Sequence, residues 1–349
     1  MGIFDKVKEF ASSTVDKSKE TLGEEAIKNK ISEGINFAIE KVSKERENYY
    51  KTHNVPDLTS INKIVFDYSN KNALISGGSS LIPGPWGMAA AIPEIIAVIS
   101  NQLTMIYDIA KAHGQKEIDK ELLLTVFLSA MGNATGNLLI IHGQKIMMKR
   151  VGQRAIQTII SILGGKITQQ LAKSMAAKWI PVAGAVAMAA WSRYTTNKIG
   201  EKAIEIFSKE IIFEKDVIEE IDIVNPNNNS NLNIQNINKA KIGIMINLMK
   251  IDNNIDTNEL KFIEDFMEKV DLSIDDKMEL IQELTTKNKI SVNYSVLKDN
   301  SEEVLYLLLD LISLAKIDKE FHITEKLFIK EIAKILEFNQ EELQLLMES

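Results

Sequence analysis

The chain has 349 residues, a formal net charge of −7, an apolar fraction of 45% and no cysteine. That apolar content excludes a disordered chain, and the lack of cysteine excludes disulfides, thiolate catalysis and cysteine-based zinc sites. The first residues, MGIFDKVKEFASS, contain no apolar core and no cleavage signature, so they do not read as a secretory signal.

The charge is unevenly spread. Residues 231–349 carry 14 Lys against 23 Asp plus Glu, a net of −9, whereas residues 1–230 carry 27 Lys plus Arg against 25 acids, a net of +2. The last 119 residues hold one glycine, Gly243, and no proline. Such a step in composition predicts two domains, joined by the polar, turn-forming stretch 225–233, NPNNNSNLN. The expected organisation is a pair of amphipathic helices over 1–56, a Gly-rich apolar helical domain over 57–224, the Asn-rich linker, and a small helical bundle over 234–349. The fold class is all-α.

In chain order, residues 4–22 align Phe4, Val7, Ala11, Val15 and Leu22, and residues 26–42 align Ile27, Ile31, Ile35, Ala38 and Val42. Both patterns predict amphipathic helices, packed on their own domain or resting on a membrane. Asp57 is placed to cap a further helix running to Ala73. Pro83, Gly84, Pro85 and Gly87 predict a loop or broken hairpin tip over 77–87, with a helix starting after Pro93 and stopping at Gly114.

Residues 122–200 contain no acid and nine basic residues, among them Lys145, Lys149, Arg150 and Arg154. An apolar, Gly-rich, purely basic block suits an anionic lipid surface or an acidic protein face. Lys145, Lys149, Arg150, Arg154 and Trp179 are the candidate lipid-facing residues. The uncharged run 122–144 is long enough to cross a bilayer, but Asn133, Asn137, His142 and three glycines weaken insertion. It reads as buried helix or as conditional membrane insertion. His142, inside this run, is expected in a core or at an interface. Gly132-x-x-x-Gly136 permits close helix approach.

The Pro-Gly-Pro turn, Pro93-Glu94, the Gln102-x-x-Met105-Ile106 run and Ile109-Ala110 before His113-Gly114 resemble the EcsC family. Ile180-Pro181-Val182-Ala183-Gly184-Ala185, followed by Ala203 and Phe207, resembles that family's second apolar hairpin and closing helix. The resemblance covers roughly residues 60–215 and implies an all-helical, membrane-associated domain.

An internal repeat marks the last third. Leu248-Met-Lys-Ile-Asp252-x6-Glu259 corresponds to Leu314-Ala-Lys-Ile-Asp318-x6-Glu325, 66 residues later. Asp256 to Glu259 reads as a capping box, and Ile323 opens a helix carrying Leu327, Phe328, Ile332 and Ile335. The repeat predicts two related helical hairpins in one bundle. The Lys-Ile-Asp…Glu pattern resembles TerB, the tellurite-resistance helical domain. Asn253 and Lys319 stand where that family has glycine. Asp252, Asp256, Glu259, Asp318 and Glu325 are candidate oxygen ligands for Ca²⁺ or Mg²⁺, against a plain role in helix capping.

No motif for an enzyme emerges. His53, His113, His142 and His322 lie in no metal or triad pattern, and Gly164-Gly165-Lys166 lacks the spacing of a phosphate-binding loop. The basic residues carry no nucleic-acid-binding motif, so no nucleic acid is expected. The expectation is a non-enzymatic, membrane-associating effector or scaffold in envelope or chemical stress or phage defence, its TerB-like part sensing or docking. A soluble protein-interaction adaptor and a metal-dependent hydrolase using the C-terminal carboxylates are the alternatives. Expected partners are an anionic membrane surface or a membrane protein, and a protein bound by the acidic domain. The expected location is the cytoplasm, with conditional attachment at the inner face of the cell membrane.

Overall fold

The structure, a computed structural model, describes residues 24–76, 85–131, 138–176, 181–218, 230–251, 255, 257–286, 288–298, 300–317 and 321–348. Among them the chain is predominantly helical, with one three-stranded sheet in the order β1-β2-β3. It divides into two compact units. One comprises Met1–Met175 with Gly184–Val224, and the other Asn225–Ser349 with Ala176–Ala183.

In the first unit, α1 (Glu24–Tyr49) packs on α3 (Pro85–Ala112) and α4 (Lys120–Ala130). Its stripe of Ile27, Ile31, Ile35, Ala38 and Val42 is at most 1% exposed. The helix expected at 26–42 is therefore part of the core. A Cβ on Gly34 would lie 2.4 Å from Ile96 Cδ1, so α1 approaches α3 through bare backbone. The segment 4–22 lies outside the described residues. Asp57 accepts from the Ser60 N–H at 3.0 Å and starts a short 3₁₀ turn, Leu58–Ser60, that runs into α2 (Ile61–Ile75).

α3 begins at Pro85, not after Pro93, and Gly87 lies within it. A proline in the first helical turn loses no intrahelical hydrogen bond, because that turn's N–H groups have no partner there. Pro93 sits inside the helix at the loss of one backbone bond. Pro83 and Gly84 lie outside the described residues. The helix ends as expected: Gly114 adopts φ +78°, its N–H donates to Lys111 O, and Gln115 N–H reaches Ala110 O at 3.0 Å.

From Ile95 to Ala110 α3 is buried, and its polar side chains find partners. Asp108 Oδ1 accepts from Arg46 Nε at 2.8 Å and from Tyr50 OH at 2.8 Å, while Oδ2 accepts from Tyr68 OH at 3.1 Å. Burial holds the Asp108 carboxyl above its ordinary value, against the pull of Arg46 and the hydroxyls. A second seam joins α2, α3 and α6 (Pro181–Phe207). Asn101 Nδ2 donates to Asn72 Oδ1 at 2.8 Å, and Asn72 and Gln102 donate to Thr196 Oγ1 at 2.9 and 3.0 Å.

The uncharged run 122–144 is not one helix. α4 stops at Ala130, and a hairpin follows of β1 (Leu139–His142) and β2 (Lys145–Val151). His142 pairs with Lys145 across a two-residue turn in which Gly143 has φ +58°, as a tight hairpin requires of its first central residue. Leu139, Ile146, Met148 and Val151 point inward, whereas His142 is exposed at the tip rather than buried. After α5 (Gln153–Ala176) and α6, β3 (Glu210–Ile218) adds in parallel to β2. Parallel addition needs such a long crossover. Gly132 and Gly136 lie outside the described residues. Among the described residues, no helix is long and apolar enough to cross a membrane.

In the second unit the helices are α7 (Ser230–Met249), α8 (Thr257–Lys269), α9 (Ile274–Leu284), the short α10 (Ser295–Lys298), α11 (Ser301–Ala315), α12 (Ile323–Ile335) and α13 (Gln340–Glu348). Residues 230–233, expected as linker, open α7 instead. Replacing Asp108 by alanine should destabilise the chain by about 3–5 kcal/mol in urea melts, because the buried Arg46 charge loses its counter-ion. Tyr68→Phe, which removes one donor only, should cost about 1 kcal/mol.

Candidate functional site

The sequence repeat is a repeat of three helices, not two. Shifted by 66 residues, α8 falls on α12, α9 falls on α13, and α7 ends where α11 ends. The central helix of each half, α7 or α11, contacts the other two of its half, and α7 and α11 pack on each other. Residues 241–249 of α7, with Lys250 just after it, and 303–315 of α11 are buried without interruption. A helix buried all round carries no polar face, so each polar residue on it needs a partner.

The repeated lysines supply one set of partners. Lys250 Nζ donates to Glu283 O at 2.7 Å, Asn288 O at 2.9 Å and Thr286 Oγ1 at 3.2 Å. It thereby closes the C-terminal end of α9, where carbonyls lack helical donors and the dipole favours a cation. Its counterpart Lys316 donates to Met347 O at 3.2 Å, near the end of α13. Burial, with Lys326 nearby, holds the Lys316 ammonium below the ordinary lysine value. Asn247 clamps the loop after α9: its amide donates to Ile290 O at 2.9 Å and accepts from Ile290 N–H at 2.7 Å.

Of the candidate metal ligands, Asp252, Asp256 and Asp318 lie outside the described residues. Glu259 and Glu325 are buried, 8% and 9% exposed. Glu325 accepts from the backbone N–H of His322 at 2.9 Å, closing the start of α12 in the manner of a capping box. Among the described residues no group of three or more acids and histidines is gathered for a metal ion.

The charged centre of this unit escaped the sequence reading. Lys241 Nζ lies 3.1 Å from Glu303 Oε2 and 3.8 Å from Asp310 Oδ2, with all three side chains largely buried. The ammonium also sits 5.8 Å from the Phe266 ring centre and 6.0 Å from that of Tyr306. Burial pushes the Asp310 carboxyl up to about 6, although Lys241 pulls it down. The repeat makes the arrangement plain. Lys241 corresponds to Leu307, while Glu303 and Asp310 correspond to Ile237 and Ile244. One central helix thus brings the cation and the other brings both acids. The available signal was a lone charge inside each apolar run, KIGIMINLM and VLYLLLDLI.

In the first unit the basic block is less bare than its sequence. Lys145 pairs with Glu210 at 3.7 Å, Arg150 lies 3.9 Å from both Asp119 and Glu121, and Lys198 pairs with Glu201 at 3.0 Å. Arg150 also stacks on Phe213 at 4.5 Å. These acids flank the block in sequence and reach it through the sheet and the helix ends. Lys149 is half-buried on β2 and Arg154 is exposed on α5. Trp179 lies outside the described residues.

Residues 238–348 match the family model described as tellurite resistance protein TerB. That match spans the three-helix repeat, including both repeated lysines and the Lys241 cluster. The TerB match does not extend to residues 1–237, and it lends no support to the EcsC resemblance expected there. No curated protein and no solved structure matches the chain.

Two outcomes follow for the TerB-like domain. Lys241→Leu alone should cost about 3–5 kcal/mol in urea melts, since it strands two buried carboxylates. Adding Glu303→Ile and Asp310→Ile, which copies the opposite half at all three positions, should restore most of that loss. The pH dependence has a definite sign. Asp310 titrates above its ordinary 3.8, so between about 4 and 6 the folded chain keeps a proton that the unfolded chain has released. Its contribution is full below about pH 4 and is lost as pH rises through about 6. Asp310→Asn should remove that decline when melts at about pH 4 and about pH 7 are compared.

Proposed function

We propose that this chain is a non-enzymatic scaffold in a response to envelope or chemical stress, in which the TerB-like domain docks a protein partner and the first unit meets an anionic membrane surface. The observation that carries the docking half is how residues 238–348 use their side chains. Lys241, Lys250, Asn247 and Lys316 tie helices and loops together, and Glu325 caps the start of its own helix. Meanwhile the outer faces of α9 and α12 present Ile274, Met278, Ile281, Ile323 and Leu327 to solvent. Large apolar side chains left exposed along a helix mark candidate interaction sites. The stress setting comes from the TerB match and is analogy at the level of the family.

The membrane half is supported by the exposed cations of β2 and α5 and by two large apolar side chains that α2 exposes among charged neighbours, Lys63, Asp67 and Lys71. That helix turns Ser69 and Asn72 inward while Phe66 and Leu74 are 57% and 86% exposed. Large apolar side chains exposed beside lysines suit a lipid interface. The soluble-adaptor reading is favoured instead by the pairing of Lys145 and Arg150 with local acids, which lowers the net attraction.

Flotation of the full chain separates these two readings. It should bind vesicles containing phosphatidylglycerol better than pure phosphatidylcholine vesicles. Raising salt from about 0.1 M to about 1 M, which shortens the screening length from about 10 Å to about 3 Å, should weaken that binding. Leu74→Asn or Arg154→Glu should reduce it further. Equal binding to both vesicles removes the electrostatic account, and binding to neither leaves a protein adaptor without a membrane role.

A further inference from the structure

We infer that the outer face of α9 is the surface on which the TerB-like domain receives a basic amphipathic helix of its partner; this rests on the docking role proposed above and names its site. Ile274, Met278 and Ile281 are 77%, 66% and 52% exposed. Their i, i+4, i+7 spacing sets them in one stripe along the helix. The same helix buries Leu280 on its opposite side, where it packs on α7. It is therefore apolar on two faces, and only one of them faces the bundle.

The repeat supplies an internal control. The equivalent helix, α13, carries Gln340 and Gln344 where α9 carries Ile274 and Met278, and its Met347, in the place of Ile281, is only 9% exposed. The same position in the same fold is thus served by glutamine. The apolar stripe on α9 is not required for the bundle to form.

α9 is also held in place. Ser273 Oγ accepts from Asp276 N–H at 3.1 Å at its start, and Lys250 closes its end. Lys239 donates to Asp276 and Glu279, each at 2.7 Å, and ties its middle to α7. A fixed helix loses little entropy on binding, and the methionine adapts its shape to a partner.

Charge selects the occupant. Asp275 stands on one edge of the stripe and Lys277 on the other, and residues 231–349 carry 14 Lys against 23 acids. A second copy of this chain would bring the same negative domain, and an anionic bilayer would likewise be repelled. An amphipathic helix with lysines or arginines beside its apolar face meets both the stripe and the field around it.

The test uses the full chain and two labelled helical peptides. Both carry leucine on one face; the opposite face is lysine in one and glutamate in the other. The lysine peptide should bind, with the glutamate peptide at least roughly tenfold weaker. Ile274→Gln with Met278→Gln, which copies α13, should lower affinity for the lysine peptide by at least roughly tenfold and leave the melting temperature unchanged. No binding of the lysine peptide, equal binding of the two peptides, or equal affinity of the double variant overturns the inference. So does self-association in sedimentation velocity that the double variant abolishes, or loss of vesicle flotation in that variant. A natural partner cross-linked to 238–348 away from α9 would sink the site while leaving the docking role intact. A partner cross-linked through Met278 sustains both.

Discussion

A helix sheathed on every side must settle each of its polar groups inside the protein. That constraint governs both units of this chain. In the first, α3 is buried from 91 to 110 apart from Pro93 and Glu94, and Ser100, Asn101, Gln102, Thr104 and Asp108 are all hydrogen-bonded. In the second, α7, the turn at its end and α11 carry Lys241, Asn247, Lys250, Glu303 and Asp310 into the core. Each such group left without a partner would cost more than its hydrogen bond returns. The positions of the surrounding helices follow from where these groups need them: α1 and α2 bring Arg46, Tyr50, Tyr68 and Asn72 to α3, and the end of α9 sits over Lys250.

The second unit shows what a duplicated frame gains from unequal halves. The two central helices contribute unlike side chains to their contact. Here Lys241 meets Glu303 and Asp310, and the equivalent positions across the repeat are Leu307, Ile237 and Ile244. A cation held between two acids one heptad apart defines the register of α7 on α11, a use of buried charge for specificity rather than net stability. The repeated lysines keep the same role in both halves, since each closes the end of its own third helix. The outer helices differ again, with Ile274 and Met278 on α9 against Gln340 and Gln344 on α13. The halves thus agree in their helix ends and differ both in the buried cluster and on the outer surface.

In the first unit the absence of acids from 122–200 turns out to be a property of the sequence window more than of the surface. Glu121, just before the block, accepts from the Val151 backbone N–H and lies beside Arg150. Glu210, just after it, reaches Lys145 because β3 lies parallel to β2. The hairpin itself had a readable signal in Gly143-Gln144 between two apolar runs. It was obscured because an uncharged stretch of that length also reads as a helix, and periodicity alone does not separate the two.

By itself the sequence determined the helical class, the stripe of α1, the Asp57 cap, the Gly114 stop and the 66-residue repeat with its TerB-like motif. All of these depend on spacing or on residues close along the chain, where geometry follows directly from the helix period or from a local turn. Tertiary structure alone decided that Asp108 is the meeting point of Arg46, Tyr50 and Tyr68, that Lys241 lies between two acids on another helix, and that Lys250 and Lys316 close helix ends. It also decided that Lys145 and Arg150 are paired and that the stripe of α9 faces outward. Each of these turns on which distant segment arrives next to a given side chain, and hydrophobic periodicity sets which face is buried without saying against what.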